Sequence, residues 1–265
     1  MRVYLEGVGL LGPGLCGWQA SRVILVGEKE YVTQPTVLTA STLLPAVERR
    51  RTGVPVKLAL AVGEEAFTAA RRDAASTATV FTSSSGDGDN VHHILELLAS
   101  ADREVSPTRF HNSVHNAAAG YWSLATQSRA PSTSLCAYDE SFAAGVLDVA
   151  TRISVEGGGA ALIAYDHAYP EPLHSMRPIG GSFAVALVLW AERTERAFAA
   201  LDVDFASGFE ASTAVADAGL EVLRASVPAA RCLPLLVALA QNSTGIVVLE
   251  YGESAHLTVR IAPCG

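Results

Sequence analysis

Apolar residues come along this chain in two rhythms. Short unbroken runs, Val3-Tyr4-Leu5, Val23-Ile24-Leu25-Val26, Thr79-Val80-Phe81-Thr82 and Ala161-Leu162-Ile163-Ala164, predict β-strands. Phe183 to Trp190 and Ile246 to Leu249 repeat the signal and read as buried strands. Between them, Phe142, Val146, Val149 and Ile153 recur at intervals of four, three and four, which gathers them on one side of a helix. Ala214 to Ala225 and Leu233 to Ala240 also read as helices. Ser83 to Asn90, built from serine, glycine, aspartate and asparagine, predicts a tight loop after a strand, because glycine supplies positive φ and Asp or Asn closes local turns. Strands and helices in alternation make the chain α/β.

Composition sharpens this picture. With 265 residues, 49% of them hydrophobic, one large domain spanning 1–265 is expected. A net charge of −8 argues against nucleic acid and anionic lipid as partners, since counterion release needs clustered Lys and Arg. The one basic run, Glu48-Arg49-Arg50-Arg51, reads first as a solvated helix face, with an acidic carrier protein as the alternative use. Cys16, Cys136, Cys232 and Cys264 lie far apart without a CxxC pairing, so neither zinc nor disulfides are indicated and a reducing cytoplasm fits. Glu6 and Pro13 interrupt any signal-peptide core, and Leu233 to Ala240 is too short to span a bilayer; membrane insertion is not expected.

Three chemical candidates can be weighed. Gly7-Val8-Gly9-Leu10-Leu11-Gly12 is formally GxGxxG, but Pro13-Gly14 follows where a dinucleotide site needs a helix to open, so it reads as a glycine-rich turn after a strand. No GxSxG elbow exists, and Cys136 within Ser134 to Tyr138 reads as a buried strand cysteine. His111 with His115, or His92 with His93, lacks a third metal ligand and reads as part of hydrogen-bonded turns. No metal or cofactor is therefore expected.

The stretch from Ser106 to Gly145 is the informative one. Ser106-Pro107, then Asn116 with Ala119-Gly120, then Arg129-Ala130-Pro131-Ser132 and a strand lead to Asp139 at the start of the predicted helix. Upstream lies Glu48-Arg49-Arg50 before an Ala-rich helix, and downstream Gly180-Gly181 precedes the strand to Trp190. This order resembles the N-terminal half of the β-ketoacyl synthases, and of their chain-length-factor type in particular. The wording of Phe110 to Trp122, Ser132 to Asp139, Ala164-Tyr165-Asp166 and Tyr169 to Leu173 is similar to the short ketosynthase-like proteins of aryl polyene and xanthomonadin-type pigment pathways.

The resemblance implies a thiolase-like, layered αβαβα ketosynthase fold, with 1–190 as the N-terminal half and 191–265 as a shortened C-terminal half. It puts the family's nucleophilic cysteine position on Asp139, where a carboxylate would mimic the lost thiolate or cap the helix. No His-Gly-Thr-Gly-Thr motif follows, and His256 reads as structural. The implied role is a subunit without catalytic residues that pairs with a full-length catalytic ketosynthase and serves chains carried on acyl carrier protein. By the same resemblance, Ser132, Thr133, Ser134, Leu135, Cys136 and Ala137 form the dimer strand. Arg109, Phe110, His111, Asn112, Ser113, Asn116, Trp122 and Tyr138 face the partner and its acyl tunnel. A shortened half also implies a broad apolar face left for pairing. The competing readings are a stand-alone acyltransferase or thioester hydrolase using Cys136, Asp139 and His111, and a non-catalytic acyl-binding scaffold.

Overall fold

A computed structural model describes residues 1–38, 41–101 and 103–264. Strand β1 (Arg2–Gly12) is followed by β2 (Leu15–Cys16), which folds back on it, and by helix α1 (Trp18–Leu25). Next come α2 (Ala46–Arg51), α3 (Val54–Ala70), β3 (Ala78–Thr82), α4 (Gly88–Ala99), α5 (Pro107–His111), α6 (Ala117–Thr126) and β4 (Ser132–Leu135). A 3-10 turn, Tyr138–Glu140, leads into α7 (Ser141–Glu156), then β5 (Gly159–Asp166), α8 (Leu173–Met176) and β6 (Phe183–Trp190). The remainder holds β7 (Ala199–Ser207), α9 (Ala218–Ser226), a second 3-10 turn at Pro228–Cys232, α10 (Leu233–Ala240), β8 (Gly245–Glu250) and β9 (Ala255–Pro263).

Hydrogen bonding joins the strands in the order β4-β3-β5-β6-β1-β7-β9-β8, with β2 beside β1. β3 runs parallel to β4 and β5; the other pairs are antiparallel. The uninterrupted apolar sequence of β6 follows from burial on both sides. Ala184, Ala186 and Val188 join a core with α3 and α6, while Phe183, Val185, Leu187 and Leu189 join a second core on the opposite face. That second core takes in α7 and α10 and then Leu201, Val203, Val247, Leu249, Leu257, Val259 and Ile261 from β7, β8 and β9. Helices α3 and α6 thereby cover one face of the sheet, and α7 and α10 the other.

The far side of the β7-β9-β8 segment is charged. Arg2 pairs with Asp202 at 2.6 Å, and Arg260 pairs with Asp204. This face of residues 191–265 thus carries ion pairs, with Ile246 exposed beside them. Exposed apolar side chains also occur in the N-terminal part: Val91, Leu95 and Leu98 recur along α4, and Phe110 stands on α5.

Several local readings are corrected. Val23 to Val26 belongs to or follows helix α1 instead of forming a strand, because Trp18, Ser21 and Leu25 supply a buried helical face and leave Val23 outward. Gly7 to Gly12 is strand, not turn. Its glycines admit helix α3: a Cβ on Gly7 would lie 2.2 Å from the Ala66 carbonyl oxygen, and one on Gly9 2.0 Å from that of Val62. The loop after β3 ends at Asp87, whose carboxylate accepts from Asn90 N at 3.1 Å and opens α4. Helix α9 begins at Ala218 rather than Ala214, because Asp217 caps it by accepting from Leu220 N at 2.9 Å.

Candidate functional site

β4 is the end strand of the sheet, and the chain turns from it straight into α7. Thr79 N donates to Pro131 O, and Ser83 N to Leu135 O. A residue's N–H and C=O point to the same side of a strand, so Thr133 and Leu135 face β3, whereas Ser132 and Ser134 turn their backbone groups to the open edge. Cys136 lies beyond β4, is exposed, and donates its thiol to the Ser84 carbonyl at 3.1 Å. The expectation of a buried strand cysteine is therefore corrected: the ladder ends one residue earlier.

Asp139 sits in the 3-10 turn ahead of α7 but does not cap it. Its oxygens are taken by two guanidinium groups, Arg177 at 2.6 Å and Arg231 at 3.1 Å. Arg231 also pairs with Glu250 at 3.0 Å, giving an alternating chain Arg177, Asp139, Arg231, Glu250 that balances charge. Ser141 closes the turn, accepting from Ala137 N and donating to the Tyr138 carbonyl.

A second carboxylate lies deeper. Asp166, at the end of β5, accepts from Ser84 N at 2.8 Å, Ser84 Oγ at 2.7 Å, Ser83 Oγ at 3.3 Å and Ala229 N at 2.8 Å. It ties the loop after β3 to the turn before α10. Burial pushes its carboxyl up to about 6, against the opposing pull of the Ser84, Ala229 and Ser83 donors. The folded chain thus holds this proton more tightly than the unfolded chain. The resulting stabilisation is fully present below about pH 4 and is lost as pH rises toward about 6. Thermal unfolding should show that decline in the wild type, and Asp166→Asn should lack its share of the slope across the same range.

The residues expected to face a partner divide into two groups. Phe110 is 71% exposed and Tyr138 57%, while His111 and Asn116 are also exposed and Arg109 and Ser113 half-buried. Trp122 and Asn112 are corrections. Trp122 is buried between Phe67 and Phe81, over Gly63, so it is core. Asn112 is buried, donating to the Arg51 carbonyl at 2.7 Å and accepting from the Tyr121 hydroxyl at 3.1 Å. His115 Nε2 lies 3.2 Å from the Ser83 carbonyl, and His92 faces Glu96 at 3.3 Å. His256 is held structurally, between the Gly208 carbonyl at 2.9 Å and Glu210 at 3.0 Å. Among the described residues no group of three or more His, Cys, Asp or Glu could hold a metal, and no helix is long and apolar enough to cross a membrane.

The family model described as "Beta-ketoacyl synthase, N-terminal domain" matches residues 18–233. The chain belongs to the β-ketoacyl synthase family. No curated protein matches this family member in sequence at a significant level. It is similar to the structure of the ketosynthase ApeO in complex with its chain length factor ApeC from Xenorhabdus doucetiae, at 20% identity and a TM-score of 0.75, over 98% of this chain and 99% of that one. The ishigamide ketosynthase/chain length factor matches at 15% identity and 0.74, over 100% of both chains. A type II polyketide acyl-carrier protein complexed with its ketosynthase, AntDE:AntF, matches at 14% identity and 0.75, over 99% of both. These likenesses establish the thiolase-like ketosynthase fold.

Within this β-ketoacyl synthase family member, reading the sequence alone misses Arg177 and Arg231, which reach Asp139 from just past α8 and from the second 3-10 turn, and Glu250 on β8, which pairs with Arg231. Nothing in their local sequence marks them. Asp166 lies inside a stretch singled out for its wording, yet only its burial distinguishes it from an ordinary strand-end aspartate.

Proposed function

We propose that this chain is a non-catalytic, chain-length-factor-like subunit that pairs with a full-length ketosynthase and shapes its acyl tunnel while a polyene or fatty-acid-like chain grows on acyl carrier protein. The observation that carries this reading is Asp139, held by two guanidinium groups at the position that the resemblance gives to the nucleophilic cysteine. A carboxylate neutralised in this way is a poor nucleophile, and its attack on a thioester would give an anhydride that water destroys. Neither His115 nor His256 is bonded to it. The alternative nucleophile, Cys136, donates its thiol proton to the Ser84 carbonyl, which cannot take it up as a base would.

In this reading β4 pairs along its open edge with the partner, and Phe110 projects toward the partner's tunnel. Helix α4, which carries the exposed Val91, Leu95 and Leu98, is tied to α5 by Asn90 Nδ2 donating to the Arg109 carbonyl at 2.8 Å. The likeness to structures that hold ketosynthases with chain length factors supports the pairing. The basic run of α2, with Arg50 and Arg51 exposed, offers the acidic carrier protein a secondary contact. A cytoplasmic location suits such a complex.

The test is co-expression with the ketosynthase encoded beside it, purification through a tag on this chain, and a malonyl-carrier condensation assay. A stable pair that elongates, with neither chain elongating alone, is expected. Phe110→Ala should lengthen the product and Phe110→Trp shorten it, read by mass spectrometry. Thioester turnover by this chain alone, abolished in Asp139→Ala or Cys136→Ala, would overturn the reading.

A further inference from the structure

The ion pairs around Asp139 also fix an aromatic ring. Tyr138 lies just past the end of β4, its side chain exposed, with a backbone φ of 52° in the left-handed region that bulky residues rarely adopt. Ser141 holds that turn from inside, at 3.1 Å from Ala137 N and 2.7 Å from the Tyr138 carbonyl. Over the ring, Arg177 Cζ stands 3.4 Å from the centroid. That guanidinium is fastened at two further points, donating to Asp139 at 2.6 Å and to the Tyr169 hydroxyl at 3.0 Å. Asp139 is anchored in turn through Arg231 to Glu250 on β8.

We propose that Arg177 is a positioning residue for partner recognition: fastened by Asp139 and Tyr169, it holds the Tyr138 ring out beside the open edge of β4 as a preformed anchor for the ketosynthase. The inference rests on the pairing reading above and adds the device that orders its contact. A tyrosine has few rotatable bonds, and one already stacked under a planar cation has little freedom left to lose on association. Aromatic anchors of this kind carry a disproportionate share of binding strength in protein interfaces. The former catalytic position, in this account, has become part of the recognition machinery.

The experiment compares dissociation constants for the full-length ketosynthase among the wild type, Arg177→Met, Tyr138→Leu and the double variant, with thermal unfolding of each chain alone. Each single substitution should weaken pairing about 10-fold, and the double variant should be no weaker than Tyr138→Leu, because the arginine acts through the ring. Arg177→Lys should fail to rescue, since an ammonium lacks the stacking plane. Should Arg177→Met fail to fold, Asp139→Asn, which keeps shape and removes charge, takes its place. A 3-fluorotyrosine at position 138 gives a readout without the partner: its fluorine resonance should move toward the solvent-exposed value in the Arg177 variant. Wild-type affinity in Arg177→Met, or penalties that simply add, would overturn the positioning role and leave the pairing reading standing. Failure of the wild-type chain to pair would overturn both.

Discussion

Ser134→Pro is expected to fold with a melting temperature close to wild type and yet to lose its ketosynthase by at least about 100-fold in affinity. The argument is one of direction. The N–H groups of Thr133 and Leu135 serve β3, so removing the Ser134 N–H leaves the internal ladder intact. What disappears is a donor on the open side, together with room for another backbone, because the proline ring now occupies that edge. Co-purification and size-exclusion chromatography measure the result. Thr133→Pro is the control, since it strikes the β3 ladder and should unfold the chain instead. If Ser134→Pro still pairs at wild-type strength, the partner does not dock along β4.

The second large effect concerns Gly9. A methyl group there would meet the Val62 carbonyl oxygen at 2.0 Å, and that oxygen is helix backbone, unable to rotate away as a side chain would. Gly9→Ala must therefore push α3 off the sheet, opening the core that holds Leu58, Val62 and Phe67. A loss of about 3 kcal/mol or more is expected, or failure to fold, because overpacking costs most where backbone meets backbone. Urea unfolding measures it. Gly120→Ala, where the added Cβ meets nothing, should be neutral or slightly stabilising by the helix preference for alanine. A Gly9→Ala chain within about 1 kcal/mol of wild type would mean that α3 and β1 do not approach this closely.

These cases also mark where the sequence is legible. Strongly patterned elements announce themselves: the apolar runs at Phe183 to Trp190 and Leu233 to Ala240 coincide with β6 and α10, and the one-sided Phe142 to Ile153 rhythm lies within α7. The glycines of β1 are misread because their cause, the backbone of α3, lies more than fifty residues away in sequence. Val23 to Val26 is misread because β-branched composition is a weak preference that Trp18 and Leu25 override by packing. The position of Asp139 before α7 is visible in the sequence, but its chemistry is not. Two arginines brought in from later parts of the chain change it from a cap into the centre of an ion-pair chain. Exposure follows the same rule: Phe110 and Trp122 look alike in the sequence, and it is Phe67, Phe81 and Gly63 around the indole that make Trp122 core.

The two ends of the sheet differ in a way that bears on stoichiometry. At β4 the backbone groups of Ser132 and Ser134 are turned outward, whereas at β8 Thr213 lies alongside, its N–H donating to the Val248 carbonyl and its hydroxyl accepting from Val248 N. One end invites a further strand and the other is blunted by the chain's own loop. With a partner added along β4, as proposed above, further growth by strand addition would have to start from β8, where the chain's own Thr213 already occupies the backbone groups of Val248; the design favours a closed pair over a fibre.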